Sequence, residues 1–121
     1  MAKTILIVED SDDIRGALST LLEFRGYGVV EATSGRDALE RAKEHIPDLI
    51  FMDIAMPVVD GIEATRSIRS EPTTSNIPIV AVTSFSRNYH VDATEAGCNE
   101  VLSKTDLMLN FDAILTRYLE S

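Results

Sequence analysis

The hydrophobic pattern of the chain predicts five β-strands. Three short runs of apolar, mostly branched residues lie at positions 5–8, 49–52 and 79–82. Continuous apolar runs of this length are typical of strands that are buried on both faces of a parallel sheet. Two weaker runs, at 27–30 and 101–102, are flanked by glutamates, so we expect them to form the edges of that sheet.

Segments with a helical spacing of apolar residues separate the strands. Ser11 is placed to cap the first helix and Gly26 to end it, while Gly97 closes the fourth. Ser34 and Asp37 have the spacing of a capping box at the start of the second helix. The clearest apolar stripes belong to the first and last helices: Ile14, Ala17, Leu18, Leu21 and Leu22, and then Leu107, Phe111, Ile114, Leu115, Tyr118 and Leu119.

The strict alternation of strand and helix predicts an α/β fold. Right-handed crossovers then give a doubly wound (βα)5 sandwich, with helices on both faces of a parallel sheet. If the first, third and fourth strands are central, the strand order is 2-1-3-4-5, and ligands are expected where this order reverses, between strands 1 and 3. We expect residues 1–121 to form one domain with no output domain.

Composition excludes several classes of partner. Of 121 residues, 20 are acidic and 11 basic, which gives a formal net charge of −9. Nucleic acids and anionic membranes would repel such a chain, so neither is expected as a direct partner. Cys98 is the only cysteine, which indicates a reducing compartment. Apolar runs are too short for a membrane span or a signal peptide, so we expect a cytoplasmic protein without membrane insertion.

Acidic side chains follow two neighbouring strands of the predicted sheet. Glu9 and Asp10 come directly after the first apolar run, and Asp53 follows the third. Because the carboxyl ends of parallel strands meet at one edge, these carboxylates should converge, and their mutual repulsion calls for a cation. An all-oxygen site with few carboxylates suits Mg²⁺. The sequence therefore predicts a magnesium site between the first and third strands.

Two further groups belong to the same edge, because Thr83 ends the fourth strand and Lys104 follows the fifth. Mg²⁺ and the Lys104 ammonium would balance the three carboxylates. Together with the Thr83 hydroxyl they would face the oxygens of a phosphoryl group in transfer. A carboxylate can itself attack phosphorus to form an acyl phosphate, so Asp53 is the candidate nucleophile.

Short motifs stand at the ends of the strands in a characteristic order: Glu9 with Asp10, the stretch 52–57 with Asp60 and Gly61, Thr83, the stretch 96–98, and Ser103 with Lys104. In this order the motifs resemble the CheY-like receiver domain of two-component response regulators. The resemblance covers essentially the whole chain. Each motif is weak alone, but together they are specific.

The resemblance implies a metal site and a fold. Asp10 and Asp53 would bind Mg²⁺ directly, the backbone carbonyl of Ala55 would be a third protein ligand, and Glu9 would act through water. Members of this family adopt the flavodoxin-like form of the doubly wound fold.

The resemblance also implies a reaction and its partners. Asp53 would accept a phosphoryl group from a phosphohistidine of a sensor histidine kinase or a histidine phosphotransfer protein. Lys104 would contact the phosphoryl group, and Thr83 would move toward it. Such a protein is a phosphoacceptor that assists its own phosphorylation and dephosphorylation, not an enzyme for a separate substrate. It would signal through the surface of the fourth helix, fifth strand and fifth helix to a downstream protein.

Two positions depart from the family pattern, and both lie near the fifth strand. Val101 stands where receiver domains usually carry an aromatic residue whose rotation accompanies activation, and Thr105 replaces the proline that usually follows the lysine. Phe85 or Tyr89 would then be the candidate aromatic for the readout. The geometry of the loop around Lys104 stays open.

Other interpretations of the same residues remain. Taken singly, Asp10 is also typical of a helix cap and Asp53 of a strand-end acid satisfied by loop amides. A constitutive receiver-like adaptor would keep the fold and lose the switching, as Val101 and Thr105 indicate. A Mg²⁺-dependent phosphatase would need a second acid near Asp53, where Ala55 stands. A flavin carrier would need a phosphate-binding loop after the first strand, where this chain is acidic.

Overall fold

The computed structural model describes residues 2–54, 58–83 and 86–120, without the side chains of residues 58–60 and 86–90. The strands are β1 (Thr4–Val8), β2 (Gly28–Ala32), β3 (Leu49–Asp53), β4 (Ile79–Thr83) and β5 (Glu100–Ser103). The helices are α1 (Asp12–Phe24), α2 (Gly35–His45), α3 (Val58–Ser70), α4 (Ser86–Ala96), α5 (Lys104–Leu109) and α6 (Phe111–Leu119). Among these helices, none is long and apolar enough to cross a membrane.

The strands form a parallel sheet in the order β2-β1-β3-β4-β5, which confirms the predicted fold. Residues of β3 and β4 are buried throughout, whereas those of β5 are all partly exposed. Each predicted run lies within its strand except that β2 is shifted and begins at Gly28. The extension of β3 by one residue places Asp53 inside the sheet, where it pairs with Val82 of β4.

Two apolar cores cover the two faces of the sheet, because alternate strand residues point to opposite sides. On one face, Leu6, Ile50 and Ala81 pack against α2, α3 and α4. On the other, Ile5 and Phe51 pack against α1, α5 and α6. The strands between these layers are therefore held from both sides, which gives their carboxyl ends a defined position.

The helix ends follow the local sequence. The Ser11 hydroxyl accepts a hydrogen bond from the Ile14 amide at the start of α1, and the Ser34 hydroxyl accepts one from the Asp37 amide at the start of α2. Gly97 ends α4 with a φ of 119°, a conformation that residues with a Cβ rarely adopt. These caps confirm the predicted boundaries.

The prediction of a single last helix was wrong, because α5 ends at Leu109 and α6 begins at Phe111. Asn110 has non-helical angles of φ −119° and ψ 21°. Its side-chain amide donates a hydrogen bond to the Asp106 carbonyl at 3.0 Å, and such bonds compete with helix geometry. Leu107 and Ile114 still face the same core, so the apolar periodicity continues across the break and conceals it.

Candidate functional site

The structure brings three carboxylates together at the carboxyl end of the sheet. One carboxylate oxygen each from Glu9, Asp10 and Asp53 lie within 4.8 Å of one another. Glu9 and Asp53 are buried, whereas Asp10 is exposed. The convergence follows from the parallel pairing of β1 with β3, and it leaves one face of the cluster open to solvent.

Glu9 is held at this place by its backbone and its side chain. Its amide donates to the Ala32 carbonyl at 3.0 Å, so the residue continues the pairing of β1 with β2. Its carboxylate accepts a hydrogen bond from the Ser11 amide at 3.0 Å. The side chain therefore points back over the first turn of α1 instead of into solvent.

The pKa of Glu9 is raised from 4.5 to about 7. Burial is the largest cause, followed by a hydrogen bond between the Glu9 and Asp53 carboxyl groups and by the negative charge of Asp53. The Ser11 amide and the Lys104 ammonium act in the opposite direction. Burial and the neighbouring carboxylate therefore favour the protonated form of Glu9 in the absence of a cation, and a divalent cation would relieve this repulsion.

Lys104 reaches the cluster from β5, and its Nζ lies 3.9 Å from Glu9 Oε1. It is the first residue of α5, whose cap is Ser103: the Ser103 hydroxyl accepts a hydrogen bond from the Asp106 amide at 3.0 Å. At the position where the family usually has proline, this chain continues directly into a helix. That local geometry sets the direction in which the Lys104 side chain leaves the sheet.

Thr83 is fully buried at the end of β4, in register with Ser103. Its strand neighbour Val82 pairs with Asp53, so Thr83 lies one residue beyond Asp53 at the same edge. The structure thus places all of the sequence-predicted side chains that it describes at one end of the sheet. Ala55, Phe85 and the side chain of Tyr89 lie outside the described residues.

Gly61 allows α3 to pass close to the end of β3. A Cβ at this position would lie 3.0 Å from the Asp53 carbonyl oxygen and 3.0 Å from the Ile54 side chain. A side chain there would push the helix away from the acidic cluster. Gly61 belongs to one of the sequence motifs, but only the packing shows that it allows α3 to approach β3 closely.

An apolar groove of about 300 Å³ opens beside the cluster, between α1 and α5. Its walls include Ile14, Ala17, Leu18, Leu21, Phe51, Val82, Leu107 and Met108, and its polar end includes Glu9, Asp13, Asp53 and Lys104. The groove was missed from the sequence, although its signal was present. The apolar stripe of α1 is wider than the core covers, because Ile14 remains 37% exposed.

Arg15 was also missed. This side chain donates a hydrogen bond to the Glu9 carbonyl oxygen at 2.9 Å. Its spacing of three residues from Asp12, a helical ion-pair spacing, is the one sequence signal that singles it out.

The donor set suits a hard divalent cation. Carboxylate oxygens and water are the ligands that Mg²⁺ prefers. Three carboxylates meet at this site, and the Lys104 ammonium lies beside them. The arrangement can hold Mg²⁺ and orient a phosphoryl group against the Asp53 carboxylate.

Comparison with known proteins finds relatives among response regulators and receiver domains. The sequence profile of the response regulator receiver domain matches residues 5–115. The polar-differentiation response regulator DivK of Brucella ovis is 35% identical over 120 residues, which are 98% of each chain. The receiver domain of the sensor histidine kinase PA1611 from Pseudomonas aeruginosa, a structure with a magnesium ion in its active-site cleft, is 31% identical, with a TM-score of 0.89 and full coverage of both chains. The chemotaxis protein CheY4 of Vibrio cholerae is 30% identical, with a TM-score of 0.88, over 98% of this chain and 100% of its own.

Proposed function

The chain belongs to the response regulator receiver family, and on that premise we propose that Asp53 accepts a phosphoryl group in a Mg²⁺-dependent step of two-component signalling. The observation that carries the proposal is the meeting of three carboxylate oxygens within 4.8 Å, two of them from buried residues. Burial leaves the Asp53 side chain few alternative positions, so its carboxylate is held in place for attack.

The proposed reaction is a displacement at phosphorus. An oxygen of Asp53 attacks the phosphorus of a phosphohistidine in line with the P–N bond. The new O–P bond forms as the P–N bond breaks, and the bonding electron pair returns to the imidazole nitrogen. The product is an acyl phosphate on Asp53.

The proposed metal ligands are Asp10, Asp53 and the Ala55 carbonyl, with Glu9 acting through water. When bound, Mg²⁺ would neutralise the phosphoryl oxygens as charge builds up on them. Asp10 is the exposed carboxylate of the three, which suits a ligand that meets an ion arriving from solvent. A bound cation would favour the ionised form of Glu9, because a nearby positive charge stabilises a carboxylate.

Lys104 and Thr83 are the proposed contacts of the transferred group. The Lys104 ammonium lies beside the cluster, 3.9 Å from a Glu9 oxygen, where it would neutralise a phosphoryl oxygen. Thr83 would donate its hydroxyl to another oxygen and carry the change of state toward α4, β5 and α5, the proposed signalling surface.

The proposed phosphodonor is a histidine on a sensor kinase or phosphotransfer protein in the cytoplasm. A phosphohistidine can reach Asp53 only if its protein covers the carboxyl end of the sheet. The groove between α1 and α5 opens at that end, with Ile14 and Met108 exposed on its walls. An apolar helix face beside the histidine would bury these side chains as the reacting atoms meet.

Intact-mass measurement after incubation with Mg²⁺ and acetyl phosphate tests the proposal. We expect wild type to gain one phosphoryl group that is stable in acid and labile in base, and Asp53→Asn to gain none. Asp92→Asn, an exposed position on α4, is the matched control and should behave as wild type. Equal labelling of Asp53→Asn would refute the assignment, and absence of labelling in a wild type that binds Mg²⁺ would leave the constitutive adaptor.

A further inference from the structure

The guanidinium of Arg15 joins three elements around the loop that carries Glu9 and Asp10. It donates a hydrogen bond to the Glu9 carbonyl oxygen at 2.9 Å and contacts Glu31 Oε1 of β2 at 3.1 Å. It also pairs with Asp12 in the first turn of α1. The Arg15 side chain is only 12% exposed, whereas its partners Asp12 and Glu31 are 88% and 43% exposed. The two ion pairs therefore lie at the surface, and the part-buried bond to the Glu9 carbonyl is the more protected contact.

The Glu9 carbonyl belongs to the peptide that leads into Asp10, so its direction determines where the Asp10 side chain leaves the backbone. The other polar groups of Glu9 are held by the Ala32 carbonyl and the Ser11 amide. Arg15 therefore supplies the contact that orients this peptide. Without it, rotation of the peptide would move Asp10 relative to Asp53.

The charge of Arg15 and its hydrogen bond to the Glu9 carbonyl should affect cation binding in opposite directions. A positive charge near the cluster repels Mg²⁺, so removing the charge should strengthen binding. If Arg15 instead holds the metal ligands in place, removing it should weaken Mg²⁺ binding. The two effects differ in sign, which makes the role of Arg15 measurable.

We propose that Arg15 is a positioning residue of the metal site, which fixes the Glu9–Asp10 peptide so that Asp10 and Asp53 can bind one ion together. This inference rests on the proposed function. Arg15 increases the Mg²⁺ affinity without contacting the ion or the phosphoryl group.

Calorimetric titration with Mg²⁺ and electron paramagnetic resonance titration with Mn²⁺ measure the contribution of Arg15 to the cation affinity. We expect Arg15→Gln to weaken binding about ten-fold, since contacts that orient metal ligands typically have effects of this size. Phosphorylation at saturating Mg²⁺ should stay near the wild-type rate, because the reacting groups are unchanged. Arg15→Lys, which keeps one donor and the charge, should recover part of the affinity.

The matched control is Arg25→Gln at the other end of the same helix. Arg25 pairs with Asp112 and lies over the Phe111 ring, so its loss should lower stability without changing the Mg²⁺ affinity. Tighter or unchanged Mg²⁺ binding by Arg15→Gln would overturn the proposal. If that variant does not fold, Mg²⁺ binding by Arg15→Lys that is tighter than that of wild type would do so.

Magnesium titration of three proteins separates a wrong role for Arg15 from a wrong metal site. If wild type binds no Mg²⁺, or if Asp10→Asn binds it as tightly as wild type, the metal site itself is wrongly assigned. If wild type binds Mg²⁺ through Asp10 and Arg15→Gln binds it equally well, only the role of Arg15 is wrong.

Discussion

The acidic end of the sheet has a central half, at the ends of β1 and β3, and an edge half, at the end of β5. The two halves differ in how firmly their residues are held. At the ends of β1 and β3, the Glu9 side chain is 5% exposed and Asp53 is buried. At the end of β5, the Lys104 side chain is 35% exposed and every strand residue is partly accessible. Central strands have neighbours on both sides, whereas β5 pairs only with β4.

The departures from the family pattern fall on the less constrained half. Val101 and Thr105 lie in or next to β5, and the break at Asn110 follows at the end of α5. An edge strand tolerates such changes because fewer contacts depend on each residue. The central half carries the acids, where displacement of a side chain by an ångström would separate the metal ligands.

The largest predicted effect concerns the central half and pH. Because the pKa of Glu9 is raised in the folded state, the contribution of Glu9 to stability without metal should be fully present below pH 4.5 and be lost as the pH rises toward 7. The shift corresponds to roughly 3 kcal/mol. Urea unfolding of wild type and Glu9→Gln between pH 5 and 7.5 measures it as the difference between the two proteins.

In this experiment Glu9→Gln should be the more stable protein at pH 7.5, and Mg²⁺ should stabilise wild type more than the variant. Glu23→Gln, at an exposed position of α1, is the control and should follow wild type. Parallel pH profiles for wild type and Glu9→Gln would contradict the raised pKa.

The next effect tests the edge half through Lys104, a basic side chain whose ammonium lies near the Glu9 carboxylate. Lys104→Met removes the ammonium and keeps an apolar stem of similar length. We expect phosphorylation by acetyl phosphate to slow about 100-fold, the usual effect of losing one group that stabilises transition-state charge. The rate is measured by intact mass against time at saturating Mg²⁺.

Lys43→Met provides the comparison, since Lys43 lies on α2 near Glu71, away from the acidic cluster. A Lys104→Met protein that is phosphorylated at the wild-type rate would mean that the edge half contributes nothing to the transfer.

A smaller effect concerns the approach of α3 to the central half. Gly61→Ala should lower the free energy of unfolding by about 1–2 kcal/mol, because the new methyl group meets the Asp53 carbonyl and Ile54. Gly16→Ala is a matched helical glycine with no atom within 4 Å of the added Cβ, and it should raise stability by about 0.5–1 kcal/mol. Chemical unfolding measures both, and the same sign for the two variants would exclude the close approach.

The smallest effect concerns the cap that directs Lys104. Ser103→Ala should cost about 1 kcal/mol of stability through the lost hydrogen bond to the Asp106 amide. Ser34→Ala removes the corresponding cap of α2 at the opposite edge of the sheet. Both should lower stability alike, but only Ser103→Ala should slow phosphorylation. Equal phosphorylation rates would show that Lys104 finds its place without the cap.

Much of the fold could be predicted from the sequence because its determinants are local. The apolar runs at 5–8, 49–52 and 79–82 are long enough to require burial on both faces, and their alternation with helices leaves one reasonable strand order. The meeting of Glu9 with Asp53 followed from that order, since parallel strands end at the same edge.

Other features depended on contacts between residues that are distant along the chain. The sequence by itself determined which strand residues are buried and at which edge the acids gather, because periodicity and strand order depend on local pattern. Only the tertiary structure decided that α3 passes Asp53 at Gly61, that Arg15 holds the Glu9 carbonyl and that the stripe of α1 stays open beside α5. These contacts are set by how the helices pack on the sheet, at distances that residue spacing does not encode.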